Sequence, residues 1–413
     1  MDGNAGTIII GAGQAGLAMS RCLRDHGLPH LVLERGRVGQ RWRSERWDSF
    51  TLLSPNWQTR LPGHRYAGPD PDGFMPAAAV ADMLEDYGRG APVRTGVTVD
   101  AVHPSAFGWW VLTSVGSYLA TDVVVATGDL DRPAVPALAG ALPLRIHQLH
   151  TSDYRSPAQL PAGGVLVVGA GPSGQQIADE LARAGRAVHI AVGRHKSLPR
   201  RYRGRDAYWW MDRMGMLHRT VESLPQHRAG LRTPNAVLTG GTDDLDLHRL
   251  VRHGVVPHGR LTDVRGGVLS FAADLAGLVD AAERNAVRFR ATVDDHVLRT
   301  RVDVPVEPVP AARPAPWADD PARTLDLDRT GIGTVVWATG FRRDFSCLHA
   351  PVLDDFGEPM QHRGVTAADG LYFLGLRWMH RRSSSFLDGV GRDAEHLAEC
   401  IAERTRLLAG AAA

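Results

Sequence analysis

The chain is poor in cysteine, and its few cysteines are isolated from one another. Cys22, Cys347 and Cys400 are the three cysteines among 413 residues, and no two of them form a CxxC or CxxxxC pair. A redox dithiol or a cysteine-based zinc site is therefore not supported. His147 and His150 lie three residues apart, but no carboxylate or cysteine is placed to complete a metal site. A structural or hinge role is favoured for this pair, and no metal is expected.

Strong net charge and long apolar runs are also lacking. The net charge is +2, and Lys196 is the only lysine, so that nearly all cations are arginines. This mild balance gives no reason to expect nucleic acid or an anionic membrane as a partner. No apolar run reaches membrane-spanning length, and the N-terminus lacks the charged segment and cleavage site of a signal peptide. We expect a soluble cytoplasmic protein.

The strongest positive signal is a glycine-rich turn near the N-terminus. A β-branched run, Thr7–Ile10, predicts a buried strand and leads directly into the GAGQAG sequence of residues 11–16. Gly11 allows the tight turn, Gly13 lets the backbone approach a pyrophosphate, and Gly16 lets the following helix pack on the strand. Glu34, at the end of the next apolar run, can accept hydrogen bonds from a ribose hydroxyl. The stretch therefore predicts a dinucleotide site that fits FAD.

The same pattern returns in the middle of the chain with a different ending. A buried-strand pattern at 164–168 precedes the GAGPSG sequence of residues 169–174, and a further strand is predicted at 187–192. That strand is followed by Arg194, His195 and Lys196 instead of an acid. Cations at this position suit a 2′-phosphate, so the second turn fits NADPH. The alternative is a solvated basic loop on an unused fold.

Length and repeated strands give the domain organisation. A 413-residue chain that is 44% hydrophobic can form two or three domains. Two strands end in Ala-Thr-Gly, at 126–128 and 338–340, and a closing helix is predicted over 391–408. We predict an α/β fold with two Rossmann-like domains, in which an NADPH domain interrupts an FAD domain. The predicted limits are 1–155 and 326–413 for the FAD domain and 156–325 for the NADPH domain.

Several other segments have more than one interpretation. The arginine- and tryptophan-rich residues 35–43 predict a loop that covers the cofactor or is simply solvated. Asn56 could be a neutral donor and acceptor at a reacting centre, or an Asx-turn residue that serves its own backbone. Residues 225–260 show no clear elements, helices are predicted at 272–288 and 291–298, and the proline-rich stretch 305–321 is predicted to be a surface tether.

These motifs together resemble the class B flavin-dependent monooxygenases, in particular a bacterial branch of flavin-containing monooxygenase-like oxidoreductases. The likeness rests on GAGQAG, the GxRWRxxRWDS segment, both Ala-Thr-Gly strands, GAGPSG and the GLYFLG strand, and it covers nearly the whole chain. It implies FAD on the first turn, with the segment from Gly39 to Trp42 over the flavin, and NADPH on the second turn. The two Thr-Gly ends would lie where the chain crosses between the domains.

The resemblance and the two turns together give a set of expected site residues. The expected cofactor-binding residues are Gly11, Gly13, Gln14, Ala15, Gly16, Glu34, Arg35, Gln40, Arg41, Trp42, Val99, Ala126, Thr127, Gly128, Gly169, Gly171, Pro172, Ser173, Gly174, Gln175, Arg194, His195, Lys196, Ala338, Thr339, Gly340, Gly375 and Leu376. Asn56, His380 and Arg382 are the candidates for the reactive edge of the flavin, although each could merely brace the fold.

The implied chemistry is an NADPH-consuming monooxygenation through a C4a-(hydro)peroxyflavin, with oxygen passed to a small-molecule nucleophile. Transfer to nitrogen or sulfur, such as N-hydroxylation, is favoured over a carbonyl, because Tyr154-Arg155 replaces the Trp-Pro of the Baeyer–Villiger variant. An NADPH oxidase and a non-enzymatic redox flavoprotein subunit stay open as alternatives, whereas the missing dithiol disfavours a disulfide reductase. The expected partners are substrate and O₂, and a homodimer is compatible with the sequence.

Overall fold

The structure is a computed structural model that describes residues 3–224, 235–308, 310 and 322–411. The strands are β1 (Gly3–Ile10), β2 (His30–Glu34), β3 (Arg60–Leu61), β4 (His64–Arg65), β5 (Val93–Thr95), β6 (Val99–Ser105), β7 (Gly108–Thr113), β8 (Gly116–Val125), β9 (Arg132–Pro133), β10 (His147–His150), β11 (Gly164–Val168), β12 (Val188–Ala191), β13 (Lys196–Ser197), β14 (Arg201–Tyr202), β15 (Arg205–Asp206), β16 (Ala236–Val237), β17 (Val256–His258), β18 (Leu261–Arg265), β19 (Val268–Phe271), β20 (Thr324–Asp326), β21 (Ile332–Trp337), β22 (Phe341–Arg342), β23 (Gln361–His362), β24 (Val365–Thr366) and β25 (Leu371–Phe373). The helices are α1 (Gln14–Asp25), α2 (Gln40–Ser44), α3 (Ala77–Tyr87), α4 (Pro172–Arg183), α5 (Ala207–Arg213), α6 (Leu247–Arg252), α7 (Leu275–Thr300) and α8 (Val390–Ala411). No helix of these residues is both long and apolar enough to cross a bilayer.

The first unit is a nine-stranded sheet with β1 at its centre. The main order is β23-β24-β25-β8-β1-β2-β5, and β7 and β6 extend antiparallel from β8. Ile8 pairs in register with Leu31 of β2 and Val123 of β8, and it is fully buried because helices α1 and α8 pack together on this unit. Apolar strands flanked by helices are typical of parallel α/β sheets. The predicted α/β class is confirmed.

Strand β8 contains a buried acid. The strand passes through Asp122, which is 1% exposed. The Asp122 carboxylate accepts hydrogen bonds from Tyr372 Oη at 3.4 Å and Arg404 Nη1 at 3.3 Å. Burial raises the pKa of Asp122 to about 6, and these two donors counteract that rise.

The second unit is a five-stranded parallel sheet in the order β10-β21-β11-β12-β17. It contains β10 and β21, which the expected limits at 155/156 and 325/326 assign to the first unit. Those limits therefore need correction at both crossings. The reason is long-range pairing: β21 lies beside β11 with Val336 opposite Val167, just as β8 lies beside β1 in the first unit. Each Ala-Thr-Gly strand thus accompanies its own glycine turn.

Other departures from the sequence expectations are local. The predicted loop at 35–43 contains the short helix α2, and His147 and His150 belong to strand β10 instead of a linker. The two predicted helices at 272–288 and 291–298 form the single helix α7, whose buried face continues through Phe289 and Val293. Within 225–260 the structure has β16, α6 and β17, while residues 225–234 lie outside the described residues. Of the predicted tether, residue 309 and residues 311–321 also lie outside them.

The chain passes between the two units twice, and the outward and return connections contact each other. Strand β9 on the outward crossing pairs antiparallel with β22 on the return. The Thr339 hydroxyl donates to the carbonyl oxygen of Ala134 at 2.7 Å, and a ring nitrogen of His150 lies 2.9 Å from the carbonyl oxygen of Gly340. The crossings are therefore fixed to each other, as the resemblance implied for the Thr-Gly end at 338–340.

A buried arginine ties the two units together. Arg200 has no exposed surface, and its Nε donates to Asp206 Oδ2 at 2.8 Å. Its Nη1 donates to the carbonyl oxygens of Leu53 at 2.7 Å and Thr239 at 2.9 Å. The guanidinium carbon also lies 4.6 Å from the ring centroid of Phe74. Leu53 and Phe74 lie between β2 and β5 of the first sheet, and Thr239 lies between β12 and β17 of the second sheet, so one side chain links both parts.

We predict that Arg200→Met lowers the stability of the protein by about 3 kcal/mol, because it leaves Oδ2 of the half-buried Asp206 and two carbonyl oxygens without their donor. Urea unfolding followed by circular dichroism measures the change. Arg201→Met is the matched control, since Arg201 is an exposed neighbour. Equal midpoints for both variants would contradict a linking role for Arg200.

Candidate active site

The first glycine turn has the shape that a pyrophosphate requires. A Cβ on Gly16 would lie 1.8 Å from the carbonyl oxygen of Gly11, so only glycine lets α1 approach β1 this closely. Gly11 itself has φ +106° and would bring a Cβ to 2.8 Å from the carbonyl oxygen of Ala126. A Cβ on Gly13 would meet nothing within 4 Å. The turn is therefore tight on its protein side and open over Gly13, where phosphate would lie.

The second turn repeats this geometry closely. A Cβ on Gly174 would lie 1.9 Å from the carbonyl oxygen of Gly169, and one on Gly169, at φ +111°, would lie 2.4 Å from that of Ala338. Over Gly171 there is again nothing within 4 Å. The chain thus has two glycine turns of the same geometry, residues 11–16 and 169–174, which we call the two cradles. Both fit a dinucleotide.

Glu34 is held in place at the end of β2. Its two carboxylate oxygens accept hydrogen bonds from the backbone N–H groups of Ala12 and Gly36, each at 2.8 Å. The N–H of Gly39 donates to the carbonyl oxygen of Ala12 at 3.1 Å. The acid and the start of the arginine-rich segment are therefore both fixed to the first glycine turn, where a ribose hydroxyl would meet the carboxylate.

The arginine-rich segment at 35–43 is held near this turn by the carboxylate of Asp131, a residue that the sequence did not suggest. Arg35 Nη2 lies 3.1 Å from Asp131 Oδ1, and Arg41 also donates to this carboxylate and to the carbonyl oxygen of Leu130. Trp42 packs near Phe50, with ring centroids 6.2 Å apart, and Gln40 accepts from Arg37 Nε at 3.3 Å. The segment is folded back on the turn after β8.

The three basic residues that follow β12, beside the second glycine turn, differ in their exposure. Arg194 is exposed after β12, whereas His195 is buried, with Nδ1 3.0 Å from the carbonyl oxygen of Gly193. Lys196 is half-buried, and its pKa is lowered by burial first and then by the charges of Arg382, Arg377 and Arg288. Arg194 is thus free to meet a 2′-phosphate, while Lys196 lies close to arginines of the loop after β25.

The remaining expected cofactor residues surround the two turns. Gln14 Nε2 donates to the carbonyl oxygen of Ser385 at 2.7 Å, and a Cβ on Gly375 would lie 2.5 Å from that of Ala15. Thr127 Oγ1 and Gln175 Oε1 are buried and have no partner among the described residues. The others occupy the following places: Pro172 and Ser173 in the first turn of α4, Val99 at the start of β6, Gly128 and Gly340 at positive φ, and Leu376 buried after β25.

Asn56 lies in a 3-10 turn, Asn56–Gln58, and is buried. Its Nδ2 donates to the carbonyl oxygen of Asp70 at 2.9 Å, and its Oδ1 has no partner among the described residues. An Asx turn needs that oxygen to accept from a nearby backbone N–H, so Asn56 does not form one.

Sequence reasoning missed the next two polar residues of the same turn. Gln58 is 2% exposed and Thr59 is 1% exposed. Neither amide atom of Gln58 nor the hydroxyl of Thr59 has a partner among the described residues. Buried polar atoms are nearly always paired, so four unpaired atoms in one turn indicate a polar group that completes the turn. The signal was available: polar residues within the apolar LLSPNWQTRLPG stretch.

The turn lies against the N-terminus of α8. A Cβ on Gly391 would lie 2.9 Å from Cδ of Pro62, and Arg60 Nε lies 3.5 Å from Asp388 Oδ1. The positive end of the α8 dipole therefore lies close to the unpaired turn. This arrangement fits the pyrimidine edge of a flavin ring, which carries both hydrogen-bond donors and acceptors.

The other two catalytic candidates, Arg382 and His380, lie on the loop after β25, and their surroundings differ. Arg382 is half-buried, and its backbone N–H donates to the carbonyl oxygen of Arg219 at 3.0 Å. His380 is surrounded by the charges of Arg381, Arg363 and Glu222, on the side of the β23–β24 hairpin. Among the described residues, no hydrogen bond joins Asn56, His380 and Arg382, and of these three only Arg382 contributes to the lowered pKa of Lys196.

Comparison with known proteins agrees with this arrangement. The family model of pyridine nucleotide-disulphide oxidoreductases matches residues 8–209. An indole-3-pyruvate monooxygenase of Oryza sativa is 35% identical over 45% of this chain and 47% of its own length. A flavin-containing monooxygenase from Stenotrophomonas maltophilia superposes with a TM-score of 0.67 at 20% identity, covering 98% of this chain and all of the other. That likeness extends the shared fold over both units.

Two like cradles, one beside an acid and one followed by Arg194, define a two-dinucleotide flavoprotein oxidoreductase. A CzcO-like oxidoreductase of Geobacillus kaustophilus is 34% identical over 94% of this chain and 96% of its own length. The chain therefore belongs to the CzcO-like oxidoreductases. As a member it is an enzyme that uses FAD and NADPH.

Paired glycine substitutions separate the cofactor's role from that of the fold. Gly13→Ala should leave the apo protein's melting temperature unchanged, because a Cβ there meets open space, yet it should weaken FAD retention about tenfold or more by blocking the phosphate. Gly16→Ala should instead lower the melting temperature, because its Cβ overlaps a carbonyl oxygen. Thermal unfolding and the flavin content of the purified proteins measure both effects. Full flavin content in Gly13→Ala would contradict the assignment.

Proposed function

We propose that this protein is an NADPH-dependent monooxygenase that transfers oxygen to a nucleophilic nitrogen or sulfur of a small molecule. Bound FAD would supply the hydride acceptance and oxygen activation, and the chain would bind, orient and shield the reactants. The family relationship supports a flavin-dependent monooxygenase in general, and the choice of nitrogen or sulfur, including N-hydroxylation, is our proposal.

The observation that carries the proposal is the unpaired turn from Asn56 to Thr59. Asn56, Gln58 and Thr59 present four buried polar atoms that have no partner among the described residues. With FAD bound on the first turn, its ring would reach this segment and the start of α8. A ring held there lies between the FAD cradle and the NADPH cradle, as reduction by NADPH requires. Its buried surroundings exclude water from the reacting edge.

Asn56 and Arg382 are the two polar side chains that we assign to the reacting side. Asn56 keeps one hydrogen bond to Asp70 and has a free oxygen, so it can accept a hydrogen bond without changing its orientation. Arg382 approaches from the loop after β25 and supplies positive charge. We place His380 farther away and assign it to bracing that loop, since its carbonyl accepts from the N–H of Val221 at 2.8 Å.

Disulfide reduction, which the name of the matched family model suggests, finds no support in the thiols. Cys22, Cys347 and Cys400 are all described and all free. Burial raises the pKa of Cys22 to about 12, so this thiol is not a nucleophile at neutral pH. Three unpaired cysteines are also typical of a reducing compartment, which supports our proposal that the enzyme works in the cytoplasm.

Rapid mixing of the NADPH-reduced enzyme with oxygenated buffer tests the proposal. We expect a transient species that absorbs in the near ultraviolet before oxidised flavin returns, and its decay should accelerate when a thioether or amine substrate is present. Liquid chromatography with mass spectrometry should then show a product heavier by one oxygen atom. Hydrogen peroxide formed in stoichiometric amounts, with no oxygenated product from any amine or thioether, would favour an NADPH oxidase instead.

A further inference from the structure

Two loops from different parts of the chain meet beside the unpaired turn. Residues 380–383 follow the first sheet's strand β25, and residues 217–221 lie between β12 and β17. Backbone hydrogen bonds join them, including the bond from Arg382 N–H to the carbonyl oxygen of Arg219 at 3.0 Å, and Thr220 and Arg381 form a β-bridge. The position of Arg382 is therefore fixed by both units.

Arg382 and Lys196 are cations whose side chains have no protein partner. Both are half-buried, and neither makes a side-chain hydrogen bond or ion pair within residues 3–224, 235–308 and 322–411. Leu198, two residues after Lys196, packs in the same apolar cluster as Phe386, four residues after Arg382, so the two segments lie together. Burial lowers the pKa of Arg382, and burial followed by the charge of Arg382 lowers the pKa of Lys196. Withdrawing two like charges from water without a counter-ion is costly, so the arrangement indicates an anion.

The surroundings of Arg382 are aromatic and have one further donor. Tyr208 is 9% exposed, and its ring centroid lies 6.4 Å from that of Phe386, which follows Arg382 in the same loop. The phenol of Tyr208 has no hydrogen-bond partner in the described part of the chain, and Arg382 is among the charges that act on its pKa. Trp57 packs in the same apolar cluster as Tyr208 and Phe386. This cluster extends to the turn that holds Asn56 and Gln58.

We propose that Arg382, Lys196 and the Tyr208 phenol form a pocket that binds the anionic group of a small organic substrate, most simply a carboxylate. The inference rests on the proposed function, since it names the substrate class of that site. Arginine suits a carboxylate because its planar fork can donate two parallel hydrogen bonds, and Tyr208 can donate a third. The aromatic rings would contact the apolar body of the substrate.

The phosphates of NADPH are the other anion in this enzyme, and we assign them a different place. Their cradle is the turn at Gly171, and the exposed Arg194 follows β12 where a 2′-phosphate would lie. Arg382 instead lies next to Tyr208 and Phe386, near the turn assigned to the flavin ring. The pocket is therefore on the substrate side of the junction.

Three thioethers that differ only in charge test the pocket. The probes are 4-(methylthio)phenylacetate, its neutral amide and 4-(methylthio)phenethylamine, titrated calorimetrically into the oxidised FAD-loaded enzyme, where no turnover occurs. We expect the carboxylate to bind at least about tenfold more tightly than the other two. Arg382→Gln should weaken carboxylate binding about 10- to 100-fold, and Lys196→Gln less, as expected for a lost charged hydrogen bond. Arg205→Gln, at an exposed arginine, is the control.

Titration with 2′,5′-ADP, which carries the phosphates of the NADPH adenosine half without the nicotinamide, separates the two anions. We expect Arg382→Gln to leave its affinity unchanged. Weakened 2′,5′-ADP binding together with unchanged carboxylate binding would assign the pocket to the cofactor and overturn the proposal. Equal binding of all three thioethers would also overturn it.

Product analysis distinguishes this failure from failure of the proposed function. If the neutral amide is converted to its sulfoxide and charge has no effect on binding, the monooxygenase stands and the anion pocket does not. If the carboxylate binds through Arg382 but no probe is oxygenated, the pocket stands and the monooxygenase proposal does not.

Discussion

The close approach of a helix to a strand at two glycines is the constraint on which the rest of the structure depends. At Gly16 and Gly174 a Cβ would lie within 2 Å of a carbonyl oxygen, so the helix can begin only if that position has no side chain. The approach directs the N-terminus of each helix, with its free N–H groups, toward open space over Gly13 or Gly171. Each turn also rests on the end of an Ala-Thr-Gly strand, whose alanine carbonyl lies beside the first glycine. Both cradles and both chain crossings are thereby placed together.

The parts of the fold that sequence could predict are those fixed by short-range chemistry. The run from Thr7 to Glu34 contains its own strand, turn, helix and acid, and its order in the chain already determines how they meet. The second turn was predictable for the same reason. The strand Ile332–Trp337 was assigned to the wrong sheet, because its partner β11 lies far away in sequence and no local signal specifies a parallel neighbour.

The same distinction, between local sequence signals and long-range packing, applies to the residues of the site. Glu34 follows from its distance to the first turn, whereas Gln58 becomes informative only when its burial and its lack of a partner among the described residues are known. Asp131, which holds Arg35 and Arg41, lies in a loop that has no motif. The nearness of Lys196 and Arg382 depends on how two loops meet across the junction. Sequence thus predicted which cofactors bind, but packing was needed to find the groups that surround the reacting ring.

The region where the two units meet contains a rigid, fully bonded arginine and also polar groups that have no partner among the described residues. Arg200 satisfies all its neighbours with no exposed surface, so it fixes the units without contributing to ligand binding. The Asn56–Thr59 turn and the Arg382 pocket are the opposite case, because four side-chain atoms of the turn and the side chain of Arg382 have no partner among the described residues. Unpaired polar groups that the fold already holds in position are preorganised for a polar ligand, since binding requires little rearrangement.

The effect of FAD on the stability of Gln58→Met tests the central claim, that the flavin ring completes the unpaired turn. Met has a similar shape but no hydrogen-bonding group, so the apo variant should be at least as stable as the apo wild type, because a buried unpaired amide is removed. Saturating FAD should then raise the variant's melting temperature less than that of the wild type or of Gln159→Met, at an exposed glutamine. An equal increase in all three proteins would mean that Gln58 does not meet the flavin and would contradict the account.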